Sequence, residues 1–181
     1  MSEPWINTYT GQRFYPLRPR EEDVDIRDIA YVLSGEWRFG GHCSPRISVA
    51  QHSVYVARYS KHHLAGLLHD ASEAYLRDLN RPIKHAKGFG GYRKIEERLQ
   101  RVIFNRFGLP WPIPEDVHTA DNRVLASEVP VCMPNNIWTR LRRPYPDLVI
   151  TPWDSEDANT IFLSEFYRYS QEEFLCKSSA D

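Results

Sequence analysis

The chain has 181 residues, of which 41% are hydrophobic and 26% charged. That is enough for one soluble domain with a sizeable core, and it excludes disorder for the bulk of the chain. With 23 basic against 24 acidic residues, the positive surplus that long nucleic acid demands is missing, so any cationic site must be local.

From the N-terminus, residues 5–17 carry β-favouring side chains on either side of Thr10-Gly11 and read as a small hairpin or extended segment. Residues 23–34 place Val24, Ile26, Ile29, Ala30 and Leu33 at helical spacing, with Gly35 as the stop. The stretch 36–47 is irregular, broken by Gly40-Gly41 and Pro45. A second helix covers about 48–60, where Ser48 and Gln51 form a capping-box pair. A third covers 63–77, with Leu64, Leu67, Leu68, Ala71 and Tyr75 inward. It ends before Pro82, which cannot continue a helix. Residues 85–91 read as a flexible loop. The fourth helix, 92–107, has the clearest period and Gly108 as its C-cap. After a proline-rich turn at 109–114, a fifth helix covers about 115–128, with Val117, Ala120, Val124 and Leu125 on one face. Residues 130–153 are proline-rich and read as an ordered loop. Asp154 or Ser155 caps a last helix bearing Ile161, Phe162, Phe166 and Tyr169, and a polar tail frays beyond Cys176. The sum is an all-α helical bundle with a short N-terminal hairpin, a single domain over residues 1–181. It lacks the strand–helix alternation of a nucleotide-binding sheet.

Cys43, Cys132 and Cys176 are odd in number and form no CxxC pair. This argues against a disulfide framework or a Cys-rich zinc site, and for a reduced cytoplasmic compartment. No apolar run approaches the ~18 residues that cross a bilayer, so no membrane partner is expected. Residues 1–7 lack the basic and apolar regions of a signal peptide.

Chemistry is concentrated in four polar residues on apolar helix faces. His69-Asp70 follows Leu67-Leu68 and precedes Ala71. His52 lies among Val49, Val54 and Val56, and Asp121 shares a face with Val117, Val124 and Leu125. Taken singly, each is more commonly a satisfied core histidine or a helix-edge aspartate. Together, several buried polar groups would each need a separate partner. Two histidines and two carboxylates from three helices can instead close around one divalent ion, and the mixed nitrogen–oxygen set suits Mn, Fe, Co, Ni or Zn more than Ca. Such an ion acidifies water and polarises a phosphoryl group. Glu73 lies one helical turn after His69, on the same face.

The run Gln51-His52-Ser53, then Leu68-His69-Asp70-Ala71-Ser72-Glu73-Ala74-Tyr75, then Asp78-Leu79 and Pro82-Ile83-Lys84, resembles the HD-domain metal-dependent phosphohydrolases. Within these it is most similar to the small 5′-deoxynucleotidases and to the phage dATP triphosphohydrolases, which clear dATP where DNA is made with 2-aminoadenine. The resemblance covers about residues 35–128, the catalytic core. It implies His52, His69, Asp70 and Asp121 as ligands of one divalent transition metal, with additional Mg admissible alongside a triphosphate. It implies Glu73 as the acid/base residue and Asp78 as the contact to the deoxyribose 3′-hydroxyl. It further implies Arg38 as a phosphate-binding and catalytic arginine, flanked by Trp37 and Phe39 as walls for base or sugar, and Lys84 as a partner of the outer phosphates. His118, one turn before Asp121, is a further candidate for the same cavity. A homo-oligomer, dimer or hexamer, is implied, and a cytoplasmic location (the host's, for a phage protein). Three functions compete: a dATP phosphohydrolase that releases deoxyadenosine with triphosphate or phosphate, a 5′-deoxynucleotidase acting on monophosphates, and a non-catalytic nucleotide sensor stabilised by metal.

Overall fold

The N-terminal hairpin is minimal: β1 (Ile6–Asn7) pairs antiparallel with β2 (Arg13–Phe14), Ile6 opposite Phe14 and Asn7 opposite Arg13. In the computed structural model, which describes residues 3–133, 135, 137, 138 and 140–178 (176–178 by backbone alone), everything else regular is helical. The tail expected to fray beyond Cys176 continues as helix to Ser178, and residues 179–181 lie outside the described residues. The hairpin is fixed by two anchors. Buried Asp28 accepts hydrogen bonds from the Thr10 backbone N–H and hydroxyl, and Phe14 stacks on Tyr75 at 3.8 Å.

Helix α1 (Ile26–Gly35) is capped by Asp25, whose carboxylate accepts from the Arg27 N–H. Helix α2 (Val49–Tyr59) is the centre of the bundle, buried from Val49 to Ala57 and packed against its neighbours. Ser48 caps it by accepting from the Gln51 N–H. Only half of the expected capping box forms, because the Gln51 side chain points elsewhere. Its amide donates to Tyr55 Oη and to the Thr151 carbonyl, and its Oε1 accepts from the Trp153 N–H. This ties the chain just before the last helix to the start of α2.

The helix expected over 63–77 is broken. Helix α3 (His63–Leu67) ends at Leu68, residues 68–72 turn, and α4 (Glu73–Leu76) resumes. The turn is held by tight backbone bonds, Ala71 to Leu68 and Glu73 to Asp70, and by buried Gln100 from another helix. Gln100 accepts from the Ser72 N–H and donates to the Leu68 carbonyl. Leu67, Leu68 and Ala71 stay buried, so the apolar pattern survives the break. Close packing of α3 on α2 requires Gly66: a Cβ there would lie 2.9 Å from Ala57 Cα and against Ser60 Oγ.

A short helix, α5 (Arg81–Lys84), with Pro82 in its first turn, occupies part of what reads as a stop. Helix α6 (Gly90–Arg106) starts two residues early and ends as expected. Gly108 takes a φ of 66°, its N–H bonds Asn105, and the Leu109 N–H bonds Phe104, which satisfies the last carbonyls. Helix α7 (Glu115–Cys132) outruns its expected end and passes through Pro130. The proline forfeits one backbone bond, and continuing buries Val129 and Cys132. Helix α8 (Ser155–Ser178) is capped by Asp154, which accepts from the Asp157 N–H, and it buries Ala158, Phe162, Phe166 and Tyr169. The molecule is therefore mostly helical, as expected, with one small sheet. Among the described residues no helix is long and apolar enough to cross a membrane.

Candidate metal centre

Three segments bring the predicted ligands together. His52 comes from the middle of α2, His69 and Asp70 from the turn between α3 and α4, and Asp121 from α7. One ligand atom each from His52, His69 and Asp70 lie within 4.8 Å of one another. Asp121 joins them, its Oδ1 3.1 Å from His52 Nε2 and 4.0 Å from His69 Nε2.

Both rings are oriented in the same way. His52 Nδ1 lies 2.8 Å from Glu128 Oε1, and His69 Nδ1 lies 2.8 Å from the Gly66 carbonyl. Those acceptors claim the Nδ1 proton of each ring and leave Nε2 facing the cluster. There His52 Nε2 meets Asp121, and His69 Nε2 stands 3.1 Å from Asp70 Oδ2 without hydrogen-bond geometry. A ring nitrogen and a carboxylate oxygen at such distances need a second proton on the ring or a cation between them. The donor set of two imidazoles and two carboxylates therefore fits a divalent transition metal.

With no ion between them, the four groups act on one another's charge. Burial pulls the imidazolium pKa values down, but the facing carboxylates outweigh it, so His52 is held at about 9 and His69 above its ordinary value. Burial pushes Asp70 and Asp121 up, yet the two rings reverse this and hold both below the ordinary carboxylate range. Glu73 behaves oppositely. Burial raises it, the Asp70 and Asp78 charges raise it further, and Lys84 and Arg38 do not compensate. Its carboxyl keeps a proton well above the usual range, and its Oε2 is buried without a hydrogen-bond partner.

Glu73 reaches this position differently from the expectation. It does not follow His69 on a continuous helix; it opens α4, its N–H donating to the Asp70 carbonyl. Arg38 is largely buried, its Nε and Nη2 each 3.4 Å from Glu128 Oε2, and the neighbouring carboxylates keep it charged against burial. Asp78 is half-buried and near Asp70 and Arg38, with burial raising its pKa first and its N–H donating to Glu36 Oε1 at 2.9 Å. Lys84 is engaged with Glu96 at 2.6 Å and faces Glu73 at 3.7 Å.

The remaining candidates lie further out. Trp37 sits under the Arg46 guanidinium at 5.8 Å, Phe39 meets Trp138 edge-on at 5.9 Å, and His118 is exposed on α7. Glu128, which orients His52 and pairs with Arg38, was not expected. Its signal was present: it follows Asp121 by two helical turns, an acid on the same apolar face.

No family model matches the chain. It is 38% identical over 126 residues to the uncharacterized protein YfdR of Escherichia coli (strain K12), a match spanning 68% of this chain and 70% of that protein. It is 34% identical over 131 residues to an uncharacterized protein of Rhodobacter capsulatus, spanning 66% of each. The chain belongs to the family of YfdR.

Proposed function

We propose that this chain is a metal-dependent phosphohydrolase of deoxynucleotides built on an HD-type helical bundle, with dATP as its leading substrate. The observation that carries the reading is the convergence of two Nε2 atoms and two carboxylates beside a buried Glu73. His52, His69, Asp70 and Asp121 would hold a divalent ion, which when bound would supply Lewis acidity toward water and a phosphoryl oxygen.

In the reaction, a water oxygen bonds to the α-phosphorus, the bond from phosphorus to O5′ breaks, and the leaving oxygen gains a proton as water loses one. Glu73 is the acid/base residue, taking the proton that water loses and returning one to O5′. Arg38, backed by Glu128, offers its remaining guanidinium donors to the phosphoryl oxygens. Asp78 accepts from the sugar 3′-hydroxyl. Catalysis of this kind rests mainly on positioning and on preorganised charge.

The test is a nucleotide panel with protein stripped of metal and reloaded separately with Mn, Co, Ni, Zn or Fe. Products are resolved by chromatography. Deoxyadenosine and triphosphate are expected from dATP, and Glu73→Ala should bind metal and nucleotide yet lose at least about 100-fold in turnover. Hydrolysis of monophosphates alone would make the chain a 5′-deoxynucleotidase. No release from any pair of metal and nucleotide would sink the proposal.

A further inference from the structure

The two cations that the sequence assigns to phosphate are already paired, Arg38 with Glu128 and Lys84 with Glu96. A second group of cations, three arginines, is not. Arg81, at the start of α5, and Arg140 and Arg142, in the connection from α7 to α8, line one groove of about 520 Å³. That volume lies in the range of small-molecule sites. Among the described residues no carboxylate lines the groove, and none of the three guanidinium groups has a carboxylate within ion-pair distance. In a chain of net charge -1, three neighbouring arginines without acidic partners are a local excess of charge.

Segments that carry the candidate site also line or touch the groove. Asn122, on its wall, follows the ligand Asp121. Trp138, also on its wall, meets Phe39, the neighbour of Arg38. Gly40 presses on Asn80, the neighbour of Arg81, so closely that a Cβ would lie 2.8 Å from Asn80 Nδ2.

We propose that this groove is the subsite for the β- and γ-phosphates of a nucleoside triphosphate, with Arg81, Arg140 and Arg142 as its anion donors and Trp138 as an apolar wall. The assignment rests on the hydrolase reading and narrows it. A chain whose unpaired charge lies beyond the α-phosphate position selects triphosphates over monophosphates. Guanidinium donors suit this because each offers two parallel N–H groups to phosphate oxygens.

The test is calorimetric titration of the metal-loaded protein with inorganic tripolyphosphate and with orthophosphate. Tripolyphosphate should bind more tightly than orthophosphate and weaken with added salt. Arg140→Ala/Arg142→Ala should weaken it by roughly tenfold or more, with Arg140→Lys/Arg142→Lys in between. Arg13→Ala/Arg18→Ala, at the distant hairpin, should leave it unchanged. Thermal melts establish that each variant is folded. Equal binding of tripolyphosphate by wild type and the Arg140→Ala/Arg142→Ala variant would overturn the subsite. So would tighter binding of a single-stranded oligonucleotide that this variant abolishes. If no nucleotide is hydrolysed but the variant still loses tripolyphosphate, the hydrolase reading falls and the groove stands. If dATP is hydrolysed and the variant keeps tripolyphosphate, only the groove assignment falls.

Discussion

Glu128 grips His52 through Nδ1 at 2.8 Å, with both side chains sealed from solvent, and so decides which nitrogen of that ring faces the cluster. The same carboxylate neutralises Arg38. Burial raises its pKa, but His52 and Arg38 hold it below the ordinary glutamate value.

Removing that carboxylate should therefore do two things. Glu128→Ala leaves Arg38 as a buried, unpaired charge, a change that costs about 3–5 kcal/mol. It also frees the His52 ring to turn, and loss of such an orienting partner weakens metal binding by about 10–100-fold. Glu128→Gln, which keeps the shape and one acceptor, should recover much of the stability and only part of the affinity. Urea unfolding and metal titration of the two variants separate the effects.

Gly66 has two duties: it lets α3 lie on α2, and its carbonyl holds His69. Gly66→Ala inserts a methyl against Ala57 and Ser60, and overpacking of this kind costs about 1–3 kcal/mol. A lower midpoint of thermal unfolding is expected, together with weaker metal binding as the carbonyl shifts. A melting point equal to wild type would show that the helices part without cost.

Gln100 bridges α6 to the turn carrying His69 and Asp70. Gln100→Leu keeps the approximate volume and strands the Ser72 N–H and the Leu68 carbonyl. Each stranded buried group costs about 1–3 kcal/mol. For a chain of this length that corresponds to a fall in Tm of about 2–4 °C per kcal/mol, readable by differential scanning calorimetry. Proteolysis should then cut earlier in the 68–72 turn.

Away from the site, Glu165 on α8 is paired with Arg58 of α2 and with Arg168. Burial raises its pKa, but the hydrogen bonds from Arg168 and Arg58 bring it below its ordinary value. A carboxylate with a folded pKa below its unfolded one adds stability above the unfolded value, and loses it as pH falls through the folded value. Wild type and Glu165→Gln should therefore differ most in Tm near neutral pH and converge as the pH drops below about 4. A difference that grows on acidification would have the wrong sign for this ion pair.

What could be read from the chain and what could not follow one physical divide. The Ser48 cap, the Gly108 stop and the apolar faces of α6 and α8 depend on neighbours within a turn or two, and each formed as expected. The candidate ligands His52, His69, Asp70 and Asp121 were visible because polar groups on apolar faces are conspicuous at short range. The break at 68–72 was not, since the partner that stabilises it, Gln100, is 28 residues away from Ser72. Glu128 lies inside the expected fifth helix, but its partners His52 and Arg38 are 76 and 90 residues away; Pro130 suggested a helix end where burial of Val129 and Cys132 carries the helix on. The pairing of Lys84 with Glu96 likewise spans a loop and leaves no local trace.

The bonds from Gln51 to Thr151 and Trp153 join positions about a hundred residues apart, next door to His52. The helices themselves close over short stretches of chain, whereas the polar cluster is completed from far along it. Long loops close slowly, since their entropy is lost before their contacts form. A refolding chain can thus regain its helical signal while assembly of the His52, His69, Asp70 and Asp121 cluster lags behind.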